Sequence, residues 1–147
     1  MKTGMLRWAL KESLLWYLGA MEDSIVEGER ESADESARFL FLEAADSSPE
    51  APRYIGRLRI HAHGGLMDID LSDPWIQIDG ETRTLMFHTP KGDLAMAQFA
   101  RVSETRTDDL LSVQVDDVAL TSEASPLFGG QYGPYTRLDA LDYSTAL

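Results

Sequence analysis

Residues 54–71 read Y-I-G-R-L-R-I-H-A-H-G-G-L-M-D-I-D-L, and their hydrophobic pattern indicates the fold. In the first half Leu58, Ile60 and Ala62 alternate with arginines and histidines, as in a strand with one face buried. Alternation resumes after two glycines, where the apolar members are Met67, Ile69 and Leu71. Each half therefore predicts a half-buried β-strand.

Short strand-like segments continue on both sides of this stretch. They are predicted at residues 38–43, 75–78, 84–88, 94–102 and 111–115. Asp79-Gly80 lies between two of these segments and is typical of a tight hairpin, whereas Ser72-Asp73-Pro74 is predicted to end the strand before it. Many short strands at near-regular spacing predict an antiparallel sandwich or barrel.

The N-terminal residues 5–18 predict a helix, because they are good helix formers without interior glycine or proline, and Gly19 follows as a stop. On such a helix Ser13 and Tyr17 share one face with Leu6 and Leu10. Loops are expected at residues 29–36 and 44–52. The tail from residue 122 contains interspersed aromatic side chains, so we expect it to pack across the sheets.

Composition limits the classes of function. A chain of 147 residues and 16.4 kDa fits one domain, residues 1–147. The net charge of −12 opposes binding to nucleic acid or to an anionic membrane. The absence of cysteine excludes disulfides, zinc knuckles and thiol nucleophiles. No apolar stretch approaches the length that a membrane span needs, so we expect no membrane insertion and a cytoplasmic location.

The residues themselves leave the site chemistry open. His61, His63 and His88 are candidate zinc ligands, and alternating carboxylates at residues 68, 70 and 73 suggest calcium, but solvated strand faces explain both patterns more simply. The His63-Gly64-Gly65 turn leaves space beside an imidazole, as at the edge of a pocket. Tyr17 carries a phenol that needs a partner if it is buried, and a plain core tyrosine is the simpler interpretation.

Three blocks of sequence resemble the HtaA domain family, the haem-binding domains of actinobacterial haem-uptake proteins. The first is W-A-L-K-E-S-L-L-W-Y at residues 8–17, and the second is H-G-G-L-M-D-I-D-L-S-D-P at residues 63–74. The third extends from Leu120 through Phe128 to a leucine-aspartate pair at residues 138–139. The blocks occur in the family's order and bracket nearly the whole chain.

The resemblance implies an antiparallel β-sandwich with a short N-terminal α-helix that binds one haem b non-covalently. It implies that Tyr17 is the axial ligand of the haem iron and that His63 supports this ligand by a hydrogen bond. It also implies that Ser13 contacts the haem and that Phe128 stacks near the porphyrin. A phenolate is a hard anionic donor suited to ferric iron, and a histidine N–H beside it would favour its ionised form.

Other residues are candidates for the rest of the pocket. An apolar wall is expected from Leu6, Leu10, Trp16, Phe39 and Phe41. Arg57 and Arg59 are candidates for the haem propionates, although strand alternation favours a surface position for both.

The resulting functional prediction is haem binding for uptake, intracellular holding or transfer, with a haem donor or acceptor protein as partner. The alternative is a small haem-dependent enzyme, peroxidase-like or haem-degrading, that uses the same pocket. A further alternative is an interaction module that has lost haem. Binding ranks above catalysis because the sequence offers no obvious acid–base pair beyond His61 and His63. The oligomeric state is left open.

Overall fold

A computed structural model describes residues 3–147, which form two antiparallel β-sheets and one α-helix, α1 (Glu12–Gly19). Strands are numbered in chain order. The six-stranded sheet contains, in spatial order, β4 (Tyr54–Ile55), β3 (Phe39–Glu43), β1 (Met5–Trp8), β13 (Leu141–Ala146), β10 (Leu110–Val115) and β9 (Ser103–Arg106). The seven-stranded sheet contains β12 (Arg137–Leu138), β11 (Val118–Leu120), β8 (Gly92–Phe99), β7 (Thr82–Thr89), β6 (Met67–Asp79), β5 (Arg57–Ala62) and β2 (Ile25–Glu27).

The two sheets form a sandwich, which confirms the predicted fold class. The alternation in residues 54–71 sets the register of β5 against β6, with Ile60 opposite Ile69 and Leu58 opposite Leu71. All four side chains are fully buried, so this hairpin contributes one inward face to the core. The aromatic side chains of β3 and β7 meet between the sheets, where the Phe41 and Phe87 rings lie 5.8 Å apart.

The helix predicted over residues 5–18 is wrong in its first half. Residues 5–8 form β1, which pairs with β3 on one side and with β13 on the other. Leu6 and Trp8 point into the core, and the Trp8 indole N–H donates a hydrogen bond to the Asp139 carbonyl oxygen at 3.0 Å. Pairing on both edges and burial of these side chains outweigh a helix propensity of a few tenths of a kcal/mol per residue.

The proline at residue 74 does not end the strand, as the sequence predicted, but lies within a bulge of β6. The pairing of β6 with β7 shifts between Ser72 and Trp75, and Asp73 has a positive φ of 47°. The Asp73 N–H donates to the Gly56 carbonyl at 2.8 Å, and an Asp73 side-chain oxygen accepts from the Gly56 N–H at 3.0 Å. A bulge tolerates proline because it removes one position from the hydrogen-bond ladder.

Beyond this bulge the predicted hairpin at Asp79-Gly80 is confirmed, with Asp79 opposite Thr82 and Gly80 at a φ of 63°. Residues 29–36 and 44–52 form the expected loops. The C-terminal tail packs on the sandwich as expected, but it also contains strands that its sequence did not indicate. Its last strand, β13, lies between β1 and β10. No helix within residues 3–147 has the length and apolarity to cross a membrane.

Candidate functional site

Helix α1 buries one apolar face and exposes two large aromatic side chains on the other. Leu14, Leu15 and Leu18 are buried against the core. On the opposite face Tyr17 is 49% exposed and Trp16 is 60% exposed. Large aromatic side chains on a surface helix mark a binding surface more often than polar ones do.

Ser13 joins this exposed face one turn before Tyr17, as the spacing of four residues predicts. The helix begins where the Lys11 carbonyl accepts hydrogen bonds from the Leu14 and Leu15 N–H groups at 3.0 and 3.1 Å. The Asp139 carboxylate accepts the Glu12 N–H at 2.7 Å and so anchors the first turn to the C-terminal tail. The exposed face is therefore held in a definite position.

His63 opens a 3₁₀ turn, His63–Gly65, directly after β5. The backbone is left-handed at all three positions, with φ values of 55°, 62° and 99°. Glycine adopts this conformation without strain, but a histidine does so at a cost. Nothing apart from its chain neighbours lies within 4 Å of a methyl group placed at Gly64, so the turn is open at this position.

The turn brings His63 against Tyr17. Their rings stack with centroids 5.8 Å apart and planes inclined by 30°. The His63 Nε2 atom is buried and has no hydrogen-bond partner among residues 3–147. A buried polar atom without a partner costs about 1–3 kcal/mol, so this nitrogen is suited to a partner that a ligand would bring or orient.

Phe128 lies closer to the interior than the sequence suggested. It is fully buried at the end of a second 3₁₀ turn, Ser125–Phe128, where its ring meets the Tyr132 ring edge-on at 5.4 Å. The turn after it packs on the first turn, since a methyl group at Gly129 would lie 2.6 Å from the Leu66 carbonyl oxygen. Phe128 thus belongs to the buried core beside the second turn, and its contact with a ligand stays a prediction.

The expected apolar wall is mostly wrong. Leu6, Leu10, Phe39 and Phe41 are buried in the core between the sheets and do not border an open surface. The reason is that residues 5–8 are a strand, which turns Leu6 inward. Trp16 is the member of that set that stands beside Tyr17 at the surface.

The two arginines proposed for propionates lie on the outer side of β5, as alternation predicts. Arg57 binds Asp70 through two hydrogen bonds of 2.9 Å, and this pairing lowers the pKa of Asp70. Arg59 lies 3.7 Å from Glu27 on the neighbouring strand. Arg57 in particular is already matched by a carboxylate.

The residues considered as zinc or calcium ligands do not come together within residues 3–147. His88 lies on β7, where its Nδ1 is 2.7 Å from the Asp93 carboxylate and its ring packs 4.6 Å from Trp75. His61 faces Asp68 across the hairpin. Within residues 3–147 no group of three or more histidines and acids is placed to hold a metal ion.

A cavity of about 440 Å³ lies on the outer side of the seven-stranded sheet, and neither Tyr17 nor His63 lines it. Its lining contains Arg59 and Lys91 but also four carboxylates, Asp68, Asp70, Asp93 and Glu123, and this excess of negative charge does not suit an anionic ligand. The aromatic pair instead stands on an open surface.

Sequence reasoning missed Leu66, which is 72% exposed beside this pair. An apolar residue directly after a glycine turn was the available signal.

The fold is an antiparallel β-sandwich, and its helix and glycine turn present a stacked tyrosine and histidine at the surface. The HtaA family model, described as Htaa, matches residues 3–144. The chain belongs to the HtaA family, as its three sequence blocks predicted. A comparison with curated proteins finds no significant match.

Solved structures with the same fold come from Corynebacterium glutamicum. The C-terminal domain of HtaA has a TM-score of 0.76 at 18% identity, covering 99% of this chain and 96% of that one. The N-terminal domain of HtaA has a TM-score of 0.77 at 17% identity, covering 98% and 96%. The heme binding protein HtaB has a TM-score of 0.67 at 18% identity, covering 100% and 98%. At these identities the likeness concerns the fold.

Proposed function

We propose that this protein binds one haem b non-covalently, with the Tyr17 phenolate as the ligand of ferric iron and His63 as hydrogen-bond donor to that phenolate. The observation that carries the proposal is the stacked Tyr17–His63 pair with its buried, unpartnered Nε2. Membership of the HtaA family and the fold shared with HtaB, a protein described as heme binding, support it.

The side chains at this surface fit a haem group. When bound, ferric haem supplies a hard cationic centre, for which a phenolate oxygen is a suitable donor. His63 would donate an N–H to the phenolate, and this hydrogen bond would favour the ionised oxygen. Ser13, one turn before Tyr17, offers a hydroxyl on the same helix face.

The openness of the site supports holding and transfer. Tyr17 and Trp16 remain about half exposed, so a porphyrin on this face is reachable by a second protein. A donor or acceptor of haem is therefore part of the proposal. The Tyr17 helix is anchored from behind by its three buried leucines, which keeps the ligand oxygen in place during exchange.

The direct test is a hemin titration of the apo-protein, followed by its absorption spectrum. We expect a Soret band and the ligand-to-metal charge-transfer bands of a tyrosinate complex. Tyr17→Phe keeps the ring against His63 but removes the oxygen. It should weaken hemin binding by more than about 100-fold, because even the loss of a group that only supports a metal ligand costs about 10–100-fold.

Tyr135→Phe is the matched control, since Tyr135 is another exposed tyrosine and loses the same atom. It should bind hemin as the parent does. If Tyr17→Phe kept both the affinity and the charge-transfer bands, another side chain would be the ligand. Absence of any spectral change with the parent protein would contradict haem binding itself.

A further inference from the structure

Lys11 precedes α1, and its side chain extends toward the C-terminal segment. The Lys11 ammonium lies 5.8 Å from the centroid of the Tyr132 ring, over its face. The Tyr132 ring in turn meets Phe128. These contacts place a cation at the rim formed by the helix start and the second 3₁₀ turn.

The same rim continues to the aromatic pair. Gly129 packs on the backbone of Leu66, and the Leu66 N–H donates to the His63 carbonyl oxygen at 3.2 Å. His63 then stacks on Tyr17, which returns the series of contacts to α1. A series of packing contacts, one of them through the buried Phe128, therefore links Lys11 to the Tyr17–His63 pair.

Lys11 retains donor capacity. Its ammonium donates to the Arg137 carbonyl oxygen at 3.2 Å, and no carboxylate of residues 3–147 lies within ion-pair distance of it. An ammonium has three N–H donors, so two are left for a ligand. The Asp139 carboxylate next to the helix start is bound by the Glu12 N–H.

The spacing between Lys11 and Tyr17 is comparable to the dimensions of haem. Lys11 precedes Tyr17 by six residues, which corresponds to about 9 Å along the helix at 1.5 Å per residue. The two propionates of haem are likewise displaced from the central iron, at one edge of the macrocycle. A chain with a net charge of −12 repels the two propionate carboxylates, so a cation at the rim opposes that repulsion.

We propose that Lys11 binds a propionate carboxylate of the haem and so favours porphyrins with free carboxylates over their esters. The inference rests on the haem binding proposed above and adds a residue that determines specificity. Arg57 and Arg59, the candidates from sequence, are replaced in this role by a residue of the first sequence block.

The test compares hemin with hemin dimethyl ester, which lacks both charges, by equilibrium titration of the parent and of Lys11→Gln. We expect the variant to bind hemin about fivefold more weakly, the upper range for an exposed ion pair, and the ester with unchanged affinity. The difference between parent and variant should shrink in 1 M salt, because the pair is exposed to solvent.

Lys91→Gln is the matched control. It removes the same charge from the tip of the β7–β8 hairpin, so it reproduces the change in net charge without the local contact. Its ratio of hemin to ester affinity should equal that of the parent. Lys11→Arg, which restores a cation, should return the ratio toward the parent value.

The outcomes separate the two proposals. If the parent binds hemin with a tyrosinate spectrum but Lys11→Gln weakens hemin and ester equally, Lys11 acts only through local structure and the inference is wrong. An unchanged hemin affinity in Lys11→Gln would also overturn it. If the parent shows no tyrosinate spectrum, the proposed function fails first.

Discussion

His63 combines two features that a residue chosen for stability alone rarely shows. It adopts a left-handed backbone, and one of its ring nitrogens is buried without a partner among the described residues. Both features cost free energy in the unliganded protein. Both features lie beside an exposed tyrosine, as the proposed haem site requires.

Replacing His63 by alanine should therefore damage haem retention more than folding. With the N–H donor gone, we expect hemin to leave about 10–100-fold faster, the range for loss of a hydrogen-bond partner of a metal ligand. The measurement is transfer of hemin to an excess of a scavenging apoprotein, with the charge-transfer bands recorded in parallel.

His88→Ala is the control for this change. His88 lies on β7, pairs with Asp93 of β8 and belongs to another part of the surface. It should release hemin at the parent rate. Equal release rates and equal spectra for His63→Ala and the parent would mean that His63 serves only the glycine turn.

Among the elements, the site depends on the contact between two 3₁₀ turns. The first, His63–Gly65, carries the imidazole, and the second, Ser125–Phe128, supports it through the packing of Gly129 on Leu66. Gly129 is left-handed, and its backbone approaches that of Leu66 too closely for a side chain. Neither turn is long enough to hold its shape without the other.

Gly129→Ala is expected to separate these turns. A left-handed alanine costs about 1–2 kcal/mol, and the clash with the Leu66 backbone adds about 1–3 kcal/mol. The free energy of unfolding in urea should fall accordingly, and hemin affinity should fall with it.

Gly80→Ala provides the matched comparison, since Gly80 has a φ of 63° but nothing within 4 Å of the added methyl group. Its free energy of unfolding should fall only by the cost of a left-handed alanine, about 1–2 kcal/mol, and its hemin affinity should stay unchanged. If both variants lost the same stability, the contact between the turns would not contribute.

At the scale of the whole molecule, the two ends of the described chain are joined inside the six-stranded sheet. Strand β13 pairs with β1 near the N-terminus and with β10 on its other side. Glu43, only 6% exposed, accepts the Gly4 N–H at 3.1 Å and the Ala146 N–H at 2.9 Å through one carboxylate oxygen. This side chain therefore joins β3 to the segments at both ends of the described chain.

Glu43→Ala should destabilise the fold by about 2–4 kcal/mol, because one buried and one part-buried N–H group lose their acceptor. Urea unfolding measures this loss. Glu50→Ala, at an exposed loop position, should change the free energy of unfolding by no more than about 0.5 kcal/mol. Equal stabilities of the two variants would show that other groups hold the termini together.

Much of the architecture could be predicted from local pattern. Alternation in residues 54–71 predicted the buried faces of β5 and β6, and the Asp79-Gly80 turn predicted the hairpin that follows. The spacing of Ser13 and Tyr17 predicted their common face, and the three sequence blocks predicted the family. These features depend on residues close together in the chain.

The tertiary structure decided what local pattern cannot express. Residues 5–8 became a strand because β3 and β13, distant in sequence, pair with both of its edges. Leu6 and Phe41 were thereby drawn into the core, and Phe128 was buried there as well. The stacking of Tyr17 on His63 and the position of Lys11 over Tyr132 likewise join segments far apart in the chain. Such contacts arise from packing across the whole sandwich, so residue types and spacing indicate the parts of the site but not how they meet.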